Sequence, residues 1–156
     1  MNMNLSKGMI VKTTVAILLV MVYSHVVVQT ESKSIQKRTI FQLCTLINYY
    51  TNRSCSDYND YGCFCGYGQE GRKAVDRTDA CCRKHDNCYG KVNCFMYPQF
   101  MNFGFECDDN TRKCHCTDPK DTCSRSACEC EIGLSECLSR ATYNDNFYHM
   151  DRSICA

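Results

Sequence analysis

Apolar positions recur with the period of an α-helix in three segments of the chain. Residues 39–50 carry such a stripe, as do residues 80–89 and residues 123–140. The stripe of the first segment consists of Ile40, Leu43, Ile47 and Tyr50. The pattern predicts a short amino-terminal helix and two further helices.

The second and third predicted helices carry cysteines and ionisable residues on one face. Either Asp76 or Thr78 can cap the amino terminus of the second helix. Its face consists of Cys81, Cys82, His85, Cys88 and Tyr89. The face of the third helix consists of Ala127, Cys130, Glu131, Leu134, Cys137 and Leu138. A histidine and a glutamate therefore lie among the apolar positions of two helices.

The segments between the helices are rich in turn-forming residues. Residues 62–71, the glycine loop, contain four glycines, which is typical of a backbone that folds closely around a ligand. Residues 103–116 predict a small β-hairpin with a polar turn. Asn52 begins an N-glycosylation sequon, whose occupancy the sequence leaves open.

The start of the chain is typical of an exported protein. Lys7 and Lys12 precede an apolar run over residues 15–22, which predicts a signal peptide over residues 1–30. A signal anchor is the alternative, because three further valines lengthen the apolar run. Residues 31–38 end in a dibasic pair and are interpreted as a propeptide. The mature domain would then comprise residues 39–156.

Composition narrows the class of protein. All sixteen cysteines lie within the 118 residues of the mature domain, which is the size of one domain and typical of a disulfide scaffold. The even number indicates eight disulfides and an oxidising, extracellular compartment. Zinc binding is an alternative to disulfides, because four residues here have the spacing of zinc ligands: Cys81, Cys82, His85 and Cys88. Export into an oxidising compartment favours disulfides. A net charge of about −3 for the mature domain argues against nucleic acid as a partner.

Two motifs together resemble those of the secreted phospholipase A2 family. The run Tyr61-Gly62-Cys63-Phe64-Cys65-Gly66-Tyr67-Gly68 resembles the calcium loop of that family. The run Cys81-Cys82-Arg83-Lys84-His85-Asp86-Asn87-Cys88-Tyr89 resembles its active-site helix. The similarity extends from about Ile40 to Cys155. The resemblance implies a mainly α, disulfide-rich fold in which two long antiparallel helices are cross-linked by disulfides, with a short amino-terminal helix, a calcium loop and a β-hairpin.

The resemblance also implies a catalytic constellation. Ca²⁺ would be bound by the carbonyl oxygens of Phe64, Gly66 and Gly68 and by the carboxylate of Asp86, since calcium prefers oxygen ligands. His85 would act as the general base on a water molecule. Ca²⁺ and a loop amide would stabilise the oxyanion.

Several positions depart from the family pattern. The carboxylate that orients the histidine is an aspartate in the family, and here the matching position is Glu131. Tyr89 matches one of two tyrosines that support this carboxylate, whereas Phe103 occupies the other position and cannot donate a hydrogen bond. Gln69 replaces a loop glycine.

The resemblance implies six disulfides and leaves four cysteines open. The implied pairs are Cys63–Cys155, Cys65–Cys82, Cys81–Cys137, Cys88–Cys130, Cys94–Cys123 and Cys114–Cys128. No pairing follows for Cys44, Cys55, Cys107 and Cys116. The terminal Cys155 resembles the pancreatic and elapid type of the family.

The expected function is therefore calcium-dependent hydrolysis of the sn-2 ester of glycerophospholipids, at lipid aggregates or a membrane surface. The alternative is a binding protein on the same scaffold, such as a toxin subunit, a receptor ligand or a matrix protein. Glu131 and Phe103 favour that alternative, whereas His85 and Asp86 favour the enzyme. A disulfide-rich inhibitor or growth factor would explain the cysteines but not the His-Asp pair beside a glycine loop.

Overall fold

The structure is a computed structural model, and it describes residues 40–156. The predictions of a signal peptide over residues 1–30 and a propeptide over residues 31–38 lie outside the described residues. The helices are α1 (residues 40–51), α2 (Arg77–Tyr89) and α3 (Cys123–Ser139), and the strands are β1 (Phe105–Asp108) and β2 (Lys113–Cys116). Short 3-10 turns occupy Cys55–Tyr58, Pro98–Phe100, Asp145–Phe147 and Arg152–Cys155. The predicted mainly α, disulfide-rich fold is confirmed.

Both long helices begin at residues that suit a helix start. The carboxylate of Asp76 accepts a hydrogen bond from the amide of Asp79 at 2.8 Å, and the hydroxyl of Thr122 accepts one from Arg125 at 3.2 Å. Each bond satisfies an amide that has no partner within its helix. The caps fix where α2 and α3 start, and hence which residues face each other.

Two disulfides hold α2 against α3. Cys81 pairs with Cys137 and Cys88 pairs with Cys130, with Cα–Cα distances of 5.7 and 5.8 Å. Both intervals along the helices are seven residues, about two helical turns, so the helices run antiparallel and in contact. This cross-linked pair is the rigid element on which the candidate site is built.

The buried residues of α1 differ from the predicted stripe. Leu46 and Ile47 are fully or almost fully buried, whereas Ile40 is 58% exposed. Ile47 packs in a cluster with Tyr61 and Leu134, and Leu46 packs in a second cluster with Phe103. Ile40, at the amino-terminal end of the predicted stripe, is therefore exposed, because it is the carboxyl-terminal half of α1 that lies against both clusters.

The hairpin corrects one implied disulfide. Strand β1 pairs antiparallel with β2 so that Cys107 lies opposite Cys114, and these two residues form a disulfide. Cys116 lies two residues further along the same face of β2 and pairs with Cys128 of α3. The implied Cys114–Cys128 bridge was therefore wrong, because the strand register brings Cys107 to Cys114 and leaves Cys116 for the helix.

The other five implied disulfides are present in the structure, together with Cys44–Cys55. No cysteine of residues 40–156 is free. Cys63–Cys155 spans 92 residues, a separation at which the chain-entropy model assigns about 4–5 kcal/mol of stabilisation. Within the described part of the chain, no helix is both long and apolar enough to cross a membrane.

Candidate active site and calcium loop

His85 and Glu131 meet between the two cross-linked helices. His85 lies on α2 and Glu131 on α3, and Nε2 of His85 is 3.1 Å from Oε2 of Glu131. The side chain of His85 is 11% exposed and that of Glu131 is 1% exposed. The histidine therefore sits at the edge of the protein interior, with its partner carboxylate entirely inside.

Tyr89 donates a hydrogen bond to the other oxygen of this carboxylate. Its hydroxyl contacts Oε1 of Glu131, and its ring lies 4.2 Å from that of His85, centroid to centroid. Desolvation by burial raises the pKa of Tyr89, and the charge of Glu131 raises it further. Tyr89 thus keeps its proton and remains a donor across the physiological pH range.

The contact with Glu131 bears on the tautomer of His85. Because an ionised carboxylate can only accept a hydrogen bond, a neutral His85 paired with an ionised Glu131 would carry its proton on Nε2 and keep a lone pair on Nδ1. No hydrogen bond between described residues engages Nδ1. The ring therefore presents a free base atom on the side away from Glu131.

Phe103, unlike Tyr89, has no group that can donate a hydrogen bond to the Glu131 carboxylate. It is buried in the second cluster, with Leu46 and Ala127, and has no polar group. The described hydrogen bonds to the Glu131 carboxylate come from His85 and Tyr89. The carboxylate is thus held by two donors.

The glycine loop is anchored on the first turn of α2. The buried carboxylate of Asp79 accepts hydrogen bonds from the amides of Cys63 at 3.0 Å, Phe64 at 2.8 Å and Val75 at 2.9 Å. Gly62 has φ of +63°, and a Cβ atom on it would lie 2.4 Å from Cγ of Asp79. The close approach of loop and carboxylate therefore requires glycine at this position.

Asp79 is a residue that the sequence analysis missed. It is fully buried, yet in the sequence it is only an acidic residue in the first turn of a helix, where such residues are common. The available signal was its spacing from the cysteine pair at the start of α2. The hydrogen bonds join Asp79 to the amides of Cys63 and Phe64, which precede it by 16 and 15 positions, and no local pattern predicts such contacts.

The loop carbonyls suit a hard cation. Among the described hydrogen bonds, the carbonyl oxygens of Phe64 and Gly68 accept none, and that of Gly66 accepts a long one, at 3.4 Å, from the amide of Gln69. Phe64 is nevertheless a buried residue, and buried carbonyls usually have a partner. Oxygen atoms without partners are the ligands that Ca²⁺ prefers, so the donor set fits this ion.

Asp86 follows His85 on α2. Desolvation raises the pKa of its carboxyl group, His85 opposes that shift, and the charge of Asp79 adds to it. No three His, Cys, Asp or Glu side chains in residues 40–156 form a metal-binding group. A cation at this loop would therefore depend on backbone carbonyls with a single carboxylate.

Comparisons with known proteins agree with the geometry. The model of the family described as "Phospholipase A2" matches residues 40–148. The protein named "Acidic phospholipase A2 2" of Naja naja is 38% identical over 102 residues, which cover 64% of this chain and 83% of that protein. The matched range includes α2, α3, the glycine loop and the hairpin.

Proposed function

Because the chain belongs to the phospholipase A2 family, we propose that it is a secreted enzyme that hydrolyses the sn-2 acyl ester of glycerophospholipids with Ca²⁺ as cofactor. The observation that carries the proposal is the buried contact of His85 with Glu131, which leaves Nδ1 free as a base. The unpartnered carbonyls of the glycine loop support the cofactor.

The residues present can perform each step of the reaction. Nδ1 of His85 takes a proton from water as the water oxygen attacks the sn-2 carbonyl carbon. Glu131 stabilises the imidazolium that forms, and Tyr89 keeps the carboxylate oriented. The imidazolium then returns its proton to the departing glycerol oxygen, which yields a fatty acid and a lysophospholipid. The base is restored to its starting state.

The electrophilic side of the site consists of the loop and Asp86. The carbonyls of Phe64, Gly66 and Gly68 and the carboxylate of Asp86 would hold the ion, which when bound supplies positive charge for the oxyanion. The amide of Gly66 donates no described hydrogen bond and is available to the same oxyanion. The peptide around Gly66, with φ of +136°, is accessible to few residues other than glycine.

Exposed apolar side chains support action at a lipid surface. Phe41 on α1 is 70% exposed and Tyr67 in the glycine loop is 85% exposed. Aromatic side chains are enriched at the interface between water and lipid, where an apolar ring and a polar edge are both accommodated. We therefore expect the protein to bind peripherally to phospholipid aggregates.

A catalytically silent binding protein is the second candidate function. It is favoured by Phe103, which leaves Glu131 with two described hydrogen-bond donors. Such a protein would keep the scaffold and calcium binding without ester hydrolysis.

Product analysis separates the two functions. Vesicles are prepared from a phosphatidylcholine with different acyl chains at sn-1 and sn-2, and the products are identified by mass spectrometry with millimolar calcium or with excess chelator. The enzyme releases only the sn-2 chain, and only with calcium. Release of neither chain, from folded protein that binds calcium, would leave the binding protein as the function.

A further inference from the structure

A network of polar side chains joins the glycine loop to the carboxyl-terminal segment of the chain. It consists of Asp60, Gln69, His149 and Arg152, and is called here the loop–tail network. Nε2 of Gln69 donates to Oδ1 of Asp60 at 2.8 Å, and Oε1 of Gln69 accepts from Arg152. The other oxygen of Asp60 lies 2.6 Å from Nδ1 of His149. Both polar ends of Gln69 are therefore engaged.

Gln69 lies directly against the loop backbone at Gly66. A Cβ atom built on Gly66 would be 3.0 Å from Cδ and from Nε2 of Gln69, and 3.2 Å from the amide nitrogen of Asp60. These contacts are as close as glycine allows. The side chain of Gln69 thus restricts the movement of the peptide whose carbonyl and amide serve the proposed site.

Arg152 acts on different carbonyls of the same loop. Its guanidinium donates to the carbonyl oxygens of Gly62 and Cys63, both at 3.2 Å, and of Glu70 at 3.3 Å. The carbonyls of Phe64 and Gly68, which lie between these positions in sequence, accept no described hydrogen bond. Arg152 therefore fixes both ends of the loop and leaves the proposed ligand oxygens free.

The contact between loop and tail is specified by unusual backbone geometry. Asp60 and His149 both have positive φ, +65° and +50°, and the amide of His149 donates to the carbonyl of Asp60 at 2.9 Å. Left-handed conformations of residues other than glycine cost free energy and persist where surrounding contacts determine them. The tail is also tied to the loop by the Cys63–Cys155 disulfide.

We propose that Gln69 is a positioning residue that, together with Arg152, holds the glycine loop in its ion-binding arrangement before calcium binds. Carbonyl dipoles that converge without a cation repel one another. Hydrogen bonds that already hold the loop in this arrangement reduce the free energy that calcium binding must spend on ordering it, compared with a mobile loop. The inference rests on the proposed function, because it concerns the same calcium site. It assigns a role to the glutamine that replaces a loop glycine of the family.

Two variants of the full-length, oxidised protein test this role. Gln69→Ala removes both hydrogen bonds of the side chain and leaves the net charge of the protein unchanged. Arg152→Gln removes the guanidinium that donates to the loop carbonyls. Calcium affinity is measured by titration calorimetry without lipid. Each variant is expected to raise the Kd for calcium about tenfold, equivalent to about 1.4 kcal/mol. The double variant is expected to lose less than the sum, because the two residues share one network.

The charge change in Arg152→Gln makes the test sharper. Removal of a positive charge near a cation site would by itself strengthen calcium binding. A weaker affinity therefore reports lost positioning and not altered charge. Arg72→Gln is the matched control, because Arg72 is exposed and its side chain makes no described hydrogen bond. This control should bind calcium as tightly as the unaltered protein, or slightly more tightly.

Hydrogen exchange of the calcium-free protein gives an independent readout. Amides of residues 63–70 are expected to exchange faster in both variants, while amides of α2 and α3 are unchanged, which also shows that the variants are folded. The calcium concentration for half-maximal hydrolysis is expected to rise in both variants.

The outcomes separate this inference from the proposed function. Unchanged or tighter calcium binding and unchanged exchange in Gln69→Ala would overturn the positioning role while leaving a calcium-dependent enzyme intact. Absence of calcium binding by the unaltered protein would overturn the proposed function, and with it the role of Gln69 toward calcium.

Discussion

Replacement of Glu131 by glutamine removes the charge that the proposed mechanism needs when His85 becomes an imidazolium. The carboxylate is 1% exposed, so its interaction with the ring is not weakened by water. A hydrogen bond to a charged group contributes about 1.5–3 kcal/mol, and burial favours the upper half of that range. A loss of about 2.7 kcal/mol in the transition state corresponds to about 100-fold in kcat.

The tautomer that His85 adopts in Glu131→Gln sets the upper bound of the loss in kcat. If the new amide turns its NH₂ group toward Nε2, the ring proton moves to Nδ1 and the base atom is lost. General base catalysis contributes about 10²–10⁴-fold, so Glu131→Gln is expected to reduce kcat by a factor within that range. Calcium affinity should change little, because Glu131 is not a proposed ligand.

Glu129→Gln is the matched control for this experiment. Glu129 lies two residues away on α3, its side chain is 60% exposed, and it pairs with Arg125 at 2.7 Å. The same chemical change there should leave kcat within about twofold, since exposed ion pairs contribute little. Hydrolysis rates at saturating calcium, with melting temperatures of both variants, give the comparison. If Glu131→Gln keeps more than a third of the original kcat, Glu131 does not orient or stabilise the base.

Three further predictions concern stability and titration. Asp79→Ala leaves three amides, two of them in the glycine loop, without their acceptor and is expected to lower the free energy of unfolding by about 3–5 kcal/mol in guanidinium titrations; a loss under about 1 kcal/mol would contradict the anchoring role. Gly62→Ala should lower the melting temperature more than Gly68→Ala, because both have positive φ but only Gly62 lies against Asp79, and equal shifts would refute this. Burial, with the charge of Asp57, raises the pKa of Tyr143 to about 12. The neutral phenol of Tyr143 should therefore contribute its full stabilisation below pH 10, and this stabilisation should be lost as the pH rises through 12. The absorbance titration at high pH should lose the step near pH 12 in Tyr143→Phe.

The relation of His85 to Glu131 could be anticipated from the sequence because disulfide spacing carries three-dimensional information. Equal intervals of seven residues on two helices define one antiparallel arrangement, and the family resemblance supplied the pairing. Once the helices are joined in that way, the positions of the two side chains follow from helical geometry. The contact at 3.1 Å has this origin.

The hairpin illustrates what the sequence leaves undetermined. Cys114 and Cys116 lie on the same face of β2, so either could reach α3 on the basis of pattern alone. The choice depends on strand register, which places Cys107 opposite Cys114. Register is decided by pairing between strands and not by the composition of one strand.

Long-range polar contacts were equally beyond prediction. Asp79 contacts amides 15 and 16 positions away, and Gln69 contacts Arg152 across 83 positions. His149 is exposed, yet its Nδ1 lies 2.6 Å from a carboxylate oxygen of Asp60, 89 positions earlier in the chain. Such contacts depend on how the tail and loop pack, which has no local sequence signature.

The most direct test of the central hypothesis is fatty-acid release by the unaltered protein and by His85→Gln, at a calcium concentration that saturates both. The variant removes the base but none of the proposed calcium ligands, so calorimetry should show similar calcium binding in the two proteins. The proposed mechanism predicts rapid release by the unaltered protein and a loss of at least about 100-fold in His85→Gln. Equal release by both proteins, or release by neither despite bound calcium, would contradict it.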